Sequence, residues 1–245
     1  MLSPVIQREI HVLPSADALA RDAATRVVAA AKASIAAKGA FSIALSGGST
    51  PKVMYALLAA EPLKSQVDWS KWDVYWGDER CVGPDHKDSN FKMANDAMLS
   101  KTPIPPGNIH RMCSEADPEA ASKEYGELLR QKFGEGGLDL VLLGMGPDGH
   151  TLSLFPGTTA LNETKHRCVS NWVEKFNTFR VTMTAPFVNR AKQIMVILGG
   201  ADKRERVAEV LKGPYEPQRL PIQLIDPAPS GGRLVWLMDA DAAGK

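Results

Sequence analysis

The 245-residue chain lacks a strong net charge, a paired cysteine motif and a long apolar run. Its formal charge is +1, so no overall field attracts nucleic acid or an anionic membrane surface. Its three cysteines form no C-x-x-C pair, which is typical of reduced thiols. Residues 1–13 have neither the basic start nor the apolar centre of a signal peptide. We therefore expect a cytoplasmic protein that binds neither nucleic acid nor a membrane.

Several motifs of enzyme chemistry are also missing. The P-loop spacing G-x-x-x-x-G-K-[ST] is absent, and so is the G-x-S-x-G turn of serine hydrolases. The most prominent histidine, His150, has no second histidine or cysteine at ligand spacing, which argues against a metal site. Since no global field is present either, an anionic ligand must be held by a few placed cations and backbone amides.

Strand-like apolar runs alternate with helical patterns along the chain, which predicts an α/β fold. Three runs, FSIAL, LDLVLL and QIMVIL, are almost wholly apolar, as expected for parallel strands covered by helices on both faces. Shorter strand-like runs are IHVL, WDVYW, NIHRM, RCVSNWV, RVTMT and RLVWLMD, and helices are predicted over 16–37, 52–59, 90–99, 118–133 and 202–211. Because no repeat or linker interrupts this order, we predict a single domain over residues 1–245 with a mostly parallel sheet.

Polar motifs follow four of the predicted strands. They are SGGSTP (46–51), GDERCV (77–82), GMGPDGH (144–150) and GGADK (199–203). In an open parallel sheet, ligands bind in the crevice outside the carboxyl ends of the strands. The agreement among the four motifs, more than any one of them, predicts a ligand site at that edge.

The SGGSTP segment is typical of an anion-binding loop. Its two glycines let the backbone approach a ligand, its hydroxyls are donors, and its proline suits the first turn of a helix whose free amides favour phosphate. The alternative is a tight strand-to-helix turn in which a serine or threonine only caps the helix. The candidate phosphate contacts in this loop are Ser46, Gly47, Gly48, Ser49 and Thr50.

Three cations are further candidates for binding an anion. Arg80 can bind oxygens bidentately, and the alternative is an ion pair with a neighbouring carboxylate that only pins its loop. Lys203 stands at a predicted helix start, where a lysine suits a phosphate better than it suits the helix dipole. The alternative for Lys203 is a solvated charged face formed by the run KRER. Arg180, which opens RVTMT, is a candidate on the same grounds as Lys203.

The GMGPDGH segment matches the dinucleotide fingerprint G-x-G-x-x-G over residues 144–149. A dinucleotide turn needs a helix directly after the glycines, whereas Pro156 stops any helix within two turns. Asp148 would also set a carboxylate against the pyrophosphate. Glu174 lies near the distance of a ribose partner, which favours the alternative. We predict a rigid turn that presents His150, and no dinucleotide cofactor.

Histidine changes charge near neutral pH, so a neutral His150 can accept a proton and act as a general base. Asp148, two residues earlier, can orient the imidazole ring or help to hold a substrate.

Five segments together resemble the 6-phosphogluconolactonase family: ALSGGSTP, WGDERCV with DSNFKMA, LVLLGMGPDGHTLSLFPG, RVTMTAP and ILGGADK. The resemblance runs from about residue 5 to residue 240 and implies a modified Rossmann-like fold shared with glucosamine-6-phosphate deaminases, with no bound nucleotide. It implies hydrolysis of 6-phospho-D-glucono-1,5-lactone to 6-phospho-D-gluconate in the pentose phosphate pathway. The implied roles are general base for His150, substrate or transition-state contact for Arg80, phosphate contacts for residues 46–50, Arg180 and Lys203, and polar neighbours for Asp78, Asn90 and Asp148.

The related deaminases differ at two positions. They resemble D-E-Y where this chain has DER, and they carry an acid five residues after the histidine, where this chain has Phe155. The extra cation Arg80 suits an ester carbonyl that becomes an oxyanion, and both differences favour a lactonase. Two alternatives remain, an amino-sugar-phosphate isomerase or deaminase and a non-catalytic sugar-phosphate sensor.

Overall fold

The structure is a computed structural model that describes residues 6–245, so part of the segment 1–13 lies outside the described residues. The strands are β1 (Glu9–Leu13), β2 (Phe41–Leu45), β3 (Trp72–Trp76), β4 (Asp78–Arg80), β5 (Leu140–Leu143), β6 (Cys168–Val173), β7 (Thr178–Met183), β8 (Gln193–Leu198) and β9 (Arg233–Asp239). The α-helices are α1 (Ala16–Lys38), α2 (Ser49–Leu58), α3 (Asn90–Ala97), α4 (Pro118–Phe133), α5 (Ala185–Val188), α6 (Arg204–Lys212) and α7 (Ala240–Ala243).

A six-stranded parallel sheet in the order β1-β9-β8-β5-β2-β3 forms the centre of the molecule. The helices α1, α2 and α3 bury their apolar residues against one face, and α4 to α7 bury theirs against the other. Strands β2 and β5 are buried along their whole length because both of their faces are covered. The predicted fold class, a mostly parallel sheet with helices on both faces, is confirmed.

A second, three-stranded antiparallel sheet has the order β4-β7-β6. The sequence patterns RCVSNWV and RVTMT predict these strands correctly but do not separate them from the parallel sheet. The connection between β6 and β7 is the short turn 174–177, and a parallel crossover needs about a dozen residues or more, so the two strands form a hairpin.

The strand predicted at NIHRM is wrong. Within residues 108–112 only Ile109 makes a bridge, to Val74 of β3, after a 3₁₀ turn at Pro106–Asn108. The adjacent prolines 105 and 106 cannot donate backbone hydrogen bonds, which limits pairing at this edge of the sheet.

The four polar motifs follow β2, β3, β5 and β8, which are consecutive neighbours in the order β8-β5-β2-β3. Because these strands are parallel, their carboxyl ends meet at one edge, and the four motifs lie side by side there. None of the helices within residues 6–245 combines the length and the apolarity needed to cross a bilayer.

Candidate active site

The turn 144–150 is shaped around the imidazole of His150. The N–H of Gly149 donates to the carbonyl of Gly146 (3.0 Å), and the N–H of Gly146 donates to the carbonyl of His150 (2.9 Å). A Cβ at Gly146 would lie 2.1 Å from two atoms of the His150 ring, so a side chain there would displace the imidazole. Gly149 has a φ of 80°, a conformation that favours glycine. Residues 151–158 contain turns and an isolated bridge between Thr151 and Leu154, and no helix follows the glycines there.

His150 and Asp148 form a close pair. The imidazole Nδ1 lies 2.5 Å from Asp148 Oδ1, and the two side chains are 24% and 25% exposed. Burial opposes the ionisation of Asp148, but hydrogen bonds from His150 and from Lys175, with the charge of His150, hold the pKa of Asp148 well below its ordinary value. An ionised carboxylate only accepts hydrogen bonds, so Nδ1 of His150 donates to it and Nε2 is left to accept a proton.

Phe155 covers one face of the imidazole. Its ring stacks on the His150 ring with a centroid distance of 4.0 Å and an interplanar angle of 25°. The related deaminases are expected to carry an acid at this position. Because Phe155 is apolar, Asp148 is the carboxylate that contacts the His150 side chain among the described residues.

Strand β4 and the start of α3 are joined by a buried carboxylate that the sequence analysis missed. Glu79 is 3% exposed and accepts backbone N–H bonds from Arg80 (2.7 Å), Asn90 (2.8 Å) and Phe91 (2.8 Å). Burial raises the pKa of Glu79, while the backbone donors act in the opposite direction. A carboxylate eleven residues before a helix start carries no sequence signal, because the contact depends on how β4 folds back onto α3.

Two further candidate residues, Asn90 and Asp78, lie beside these hydrogen bonds to Glu79. Asn90 donates from Nδ2 to the carbonyl of Asp78 (3.0 Å), and Asp78 accepts a bond from Ser153 Oγ (2.6 Å). Both Asn90 and Asp78 are buried, so their orientations are fixed by these bonds.

Arg80 and Arg180 are direct neighbours across the β4–β7 pair. Arg80 Nη1 donates to the carbonyl of Asp88 (2.6 Å), and among the described residues neither arginine has a carboxylate partner within 4.0 Å. The ion pair considered for Arg80 is therefore absent there. Burial lowers the pKa of Arg180, and the positive charge of Arg80 lowers it further. Two adjacent guanidinium groups without a carboxylate partner are suited to an anionic ligand.

The SGGST loop is hydrogen-bonded to Tyr55 of α2. The Tyr55 hydroxyl donates to the carbonyl of Ser46 (2.8 Å) and accepts from its N–H (3.0 Å). The N-cap of α2 is Gly48, with a φ of 111° and no side-chain cap, so the capping alternative for this segment is wrong. A Cβ at Gly47 would lie 2.0 Å from Asn90 Oδ1, which explains why this loop needs glycine.

The structure brings most of the candidate residues to one cleft. Its lining includes Ser46, Gly47, Gly48, Asp78, Arg80, Asn90, Gly144, Gly146 and His150. Arg180 lines an adjoining part of the cleft that also contains Asp78, Arg80 and His150.

Four candidates, Ser49, Thr50, Asp148 and Lys203, do not belong to that lining. Lys203 Nζ lies 2.9 Å from Asp202 Oδ2, in a 3₁₀ turn before α6. The same turn follows Gly199, where an added Cβ would lie 3.4 Å from Thr50 Oγ1. The GGADK turn and the SGGST loop are therefore in contact. Within residues 6–245, no three histidine, cysteine or carboxylate side chains are grouped to hold a metal ion.

A helix-flanked parallel sheet with its cleft outside the strand ends defines a doubly wound α/β protein. The chain belongs to the glucosamine-6-phosphate isomerase/6-phosphogluconolactonase family, whose model matches residues 14–236.

Individual relatives agree with this membership. The chain is 38% identical to a 6-phosphogluconolactonase from a Nostoc species, over 98% of this chain and 99% of the relative. It is 39% identical to the 6-phosphogluconolactonase of a Synechocystis species, with 96% of each chain covered. Among solved structures, the 6-phosphogluconolactonase from Trypanosoma brucei superposes with a TM-score of 0.84 at 29% identity, over 98% of this chain and 99% of that one.

Proposed function

We propose that this protein is a lactonase that hydrolyses 6-phospho-D-glucono-1,5-lactone to 6-phospho-D-gluconate, with residues 1–245 acting as one domain. The observation that carries the proposal is that His150, hydrogen-bonded to Asp148, lines the same cleft as Arg80. Membership of a family that includes lactonases of this name supports the substrate.

In the proposed reaction, Nε2 of His150 takes a proton from water as the water oxygen attacks the C1 carbonyl. Asp148 holds the ring in the required tautomer and stabilises the imidazolium that forms. Arg80 stabilises the negative charge on the carbonyl oxygen. The bond from C1 to the ring oxygen then breaks, and the ring oxygen leaves as the C5 hydroxyl after taking a proton from the imidazolium.

We assign the phosphate of the substrate to the SGGST loop together with Arg180 and Lys203. The loop supplies backbone amides at the start of α2, where the helix dipole favours an anion. Arg180 extends the positive charge of the cleft, and the GGADK turn places Lys203 on an element that borders the loop. The chemistry assigned to these residues requires no dinucleotide.

The first prediction is that His150→Ala loses about 10²–10⁴-fold in turnover of the phosphorylated lactone, since it removes the general base. Lactone hydrolysis is followed by acid release in a pH-stat, with the spontaneous rate subtracted. His166→Ala is the matched control, because His166 also pairs with a nearby acid but lies on an exposed turn.

Near-normal turnover by a folded His150→Ala protein would contradict the assignment. Ammonia release from glucosamine 6-phosphate by the wild type, with no lactone hydrolysis, would favour the deaminase alternative. Binding of 6-phosphogluconate without either activity would favour a sugar-phosphate sensor.

A further inference from the structure

The tip of the β6–β7 hairpin contacts the turn that carries His150. The tip is a 3₁₀ turn over Glu174–Phe176. Lys175 Nζ lies 3.1 Å from Asp148 Oδ2. Phe176 packs edge-on against Phe155, with ring centroids 5.7 Å apart, and Phe155 in turn stacks on the imidazole. The hairpin therefore touches the turn 144–150 through the Lys175–Asp148 ion pair, and it reaches the His150 ring indirectly through Phe155.

Asp148 shares its two oxygens between two partners. Oδ1 accepts the hydrogen bond from the His150 ring, and Oδ2 accepts the bond from Lys175. Both oxygens of the carboxylate are thus hydrogen-bonded, which limits its rotation and keeps Oδ1 aligned with Nδ1. Positioning of this kind resembles the outer partner that orients a histidine in a catalytic triad.

We infer that Lys175 is a positioning residue that fixes Asp148 against His150 and offsets part of the negative charge of that carboxylate. The inference rests on the proposed function, in which His150 is the general base. A positive charge on the far oxygen of Asp148 reduces the attraction between that carboxylate and an imidazolium. Loss of Lys175 should therefore strengthen the attraction of Asp148 for a protonated imidazole, which a titration of the ring can detect.

Other charged groups that face His150 remain when Lys175 is replaced. Arg206 of α6 donates from Nε to the carbonyl of Pro147 (2.9 Å) in the same turn. The charged side chains that line the cleft with His150 are Asp78, Arg80, Asp88 and Arg180. A change in the titration of His150 on loss of Lys175 therefore reports the Lys175–Asp148 contact against a constant background.

The test is an NMR titration of the His150 imidazole in the full chain, compared between wild type and Lys175→Met. We expect the midpoint to rise by about half a pH unit, because an exposed ion pair contributes about 0.2–1 kcal/mol and one pH unit corresponds to about 1.4 kcal/mol. In the pH profile of kcat/KM for lactone hydrolysis, the midpoint of the acidic limb is expected to rise by the same amount. Lys175→Arg, which keeps the charge, is expected to restore both midpoints.

Lys123→Met is the matched control, since Lys123 also forms an exposed ion pair, with Glu119 on α4. A midpoint in Lys175→Met equal to that of wild type would overturn the inference, and so would an equal shift in Lys123→Met. The imidazole titration can be measured without turnover, so the positioning role of Lys175 and the lactonase function are tested by independent results. A raised midpoint in a protein without lactonase activity would refute the proposed function and support the role of Lys175.

Discussion

At the residue scale, Arg80 and Lys203 are expected to act on opposite ends of the substrate. Lys203→Ala should mainly raise KM, because a phosphate contact made equally in the ground and transition states contributes uniform binding. Arg80→Ala should instead lower kcat by about 10²–10³-fold, since it removes a group that stabilises the oxyanion. Steady-state kinetics with the phosphorylated lactone measure both effects.

Lys212→Ala is the matched control for Lys203→Ala, because Lys212 lies at the opposite end of α6. Unphosphorylated gluconolactone gives a second control, since loss of Lys203 should not change its KM. The phosphate pocket is misplaced if Lys203→Ala leaves KM unchanged and wild type hydrolyses both lactones equally well.

At the scale of elements, Glu79 is expected to hold β4 and α3 together. Glu79→Ala removes the acceptor of three buried or half-buried backbone N–H groups, and an unsatisfied buried donor costs about 1–3 kcal/mol. We expect the free energy of unfolding, measured by urea denaturation, to fall by at least about that amount. Glu124→Ala, at an exposed position on α4, is the control and should leave it nearly unchanged.

The cost of Glu79→Ala should also depend on pH. Burial raises the pKa of Glu79 in the folded state above that of the unfolded chain. The folded wild type therefore binds a proton more readily, and its stability relative to the variant increases as the pH falls from 7 toward about 4.3, the ordinary value for glutamate. A cost that shrinks over this range would show that the backbone hydrogen bonds to Glu79 outweigh its burial and that its pKa is not raised.

At the scale of the whole molecule, the fold is expected to bind no nicotinamide dinucleotide. The glycines of the turn 144–149 are followed by turns, whereas a dinucleotide site needs a helix whose start receives the pyrophosphate. Asp148, held ionised by its partners, would repel that pyrophosphate. Calorimetric titration with NAD and NADP at millimolar concentrations should give no specific heat, with 6-phosphogluconate as the positive control. Saturable binding of either dinucleotide would mean that the fingerprint interpretation was correct.

The sequence predicted the features that local patterns encode. Wholly apolar runs such as FSIAL and LDLVLL predicted buried parallel strands, because both of their faces are covered. Since parallel strands end at the same edge, the motifs after them predicted a common cleft, and three of the four motifs line one in the structure, GGADK being the exception. Pro156 predicted that no helix follows the glycine turn, because a proline cannot continue one.

The fold class and the sheet edge of the candidate site follow from the sequence alone, because periodicity and turn chemistry act over short stretches of chain. Contacts between distant segments, by contrast, are visible only in the folded chain. Arg80 lies opposite Arg180 because of the antiparallel register of β4 and β7. Lys175, at the tip of the β6–β7 hairpin, donates to Asp148, which lies 27 residues earlier in the sequence. Such pairings depend on how strands are paired and how loops fold back, and no local pattern specifies either one.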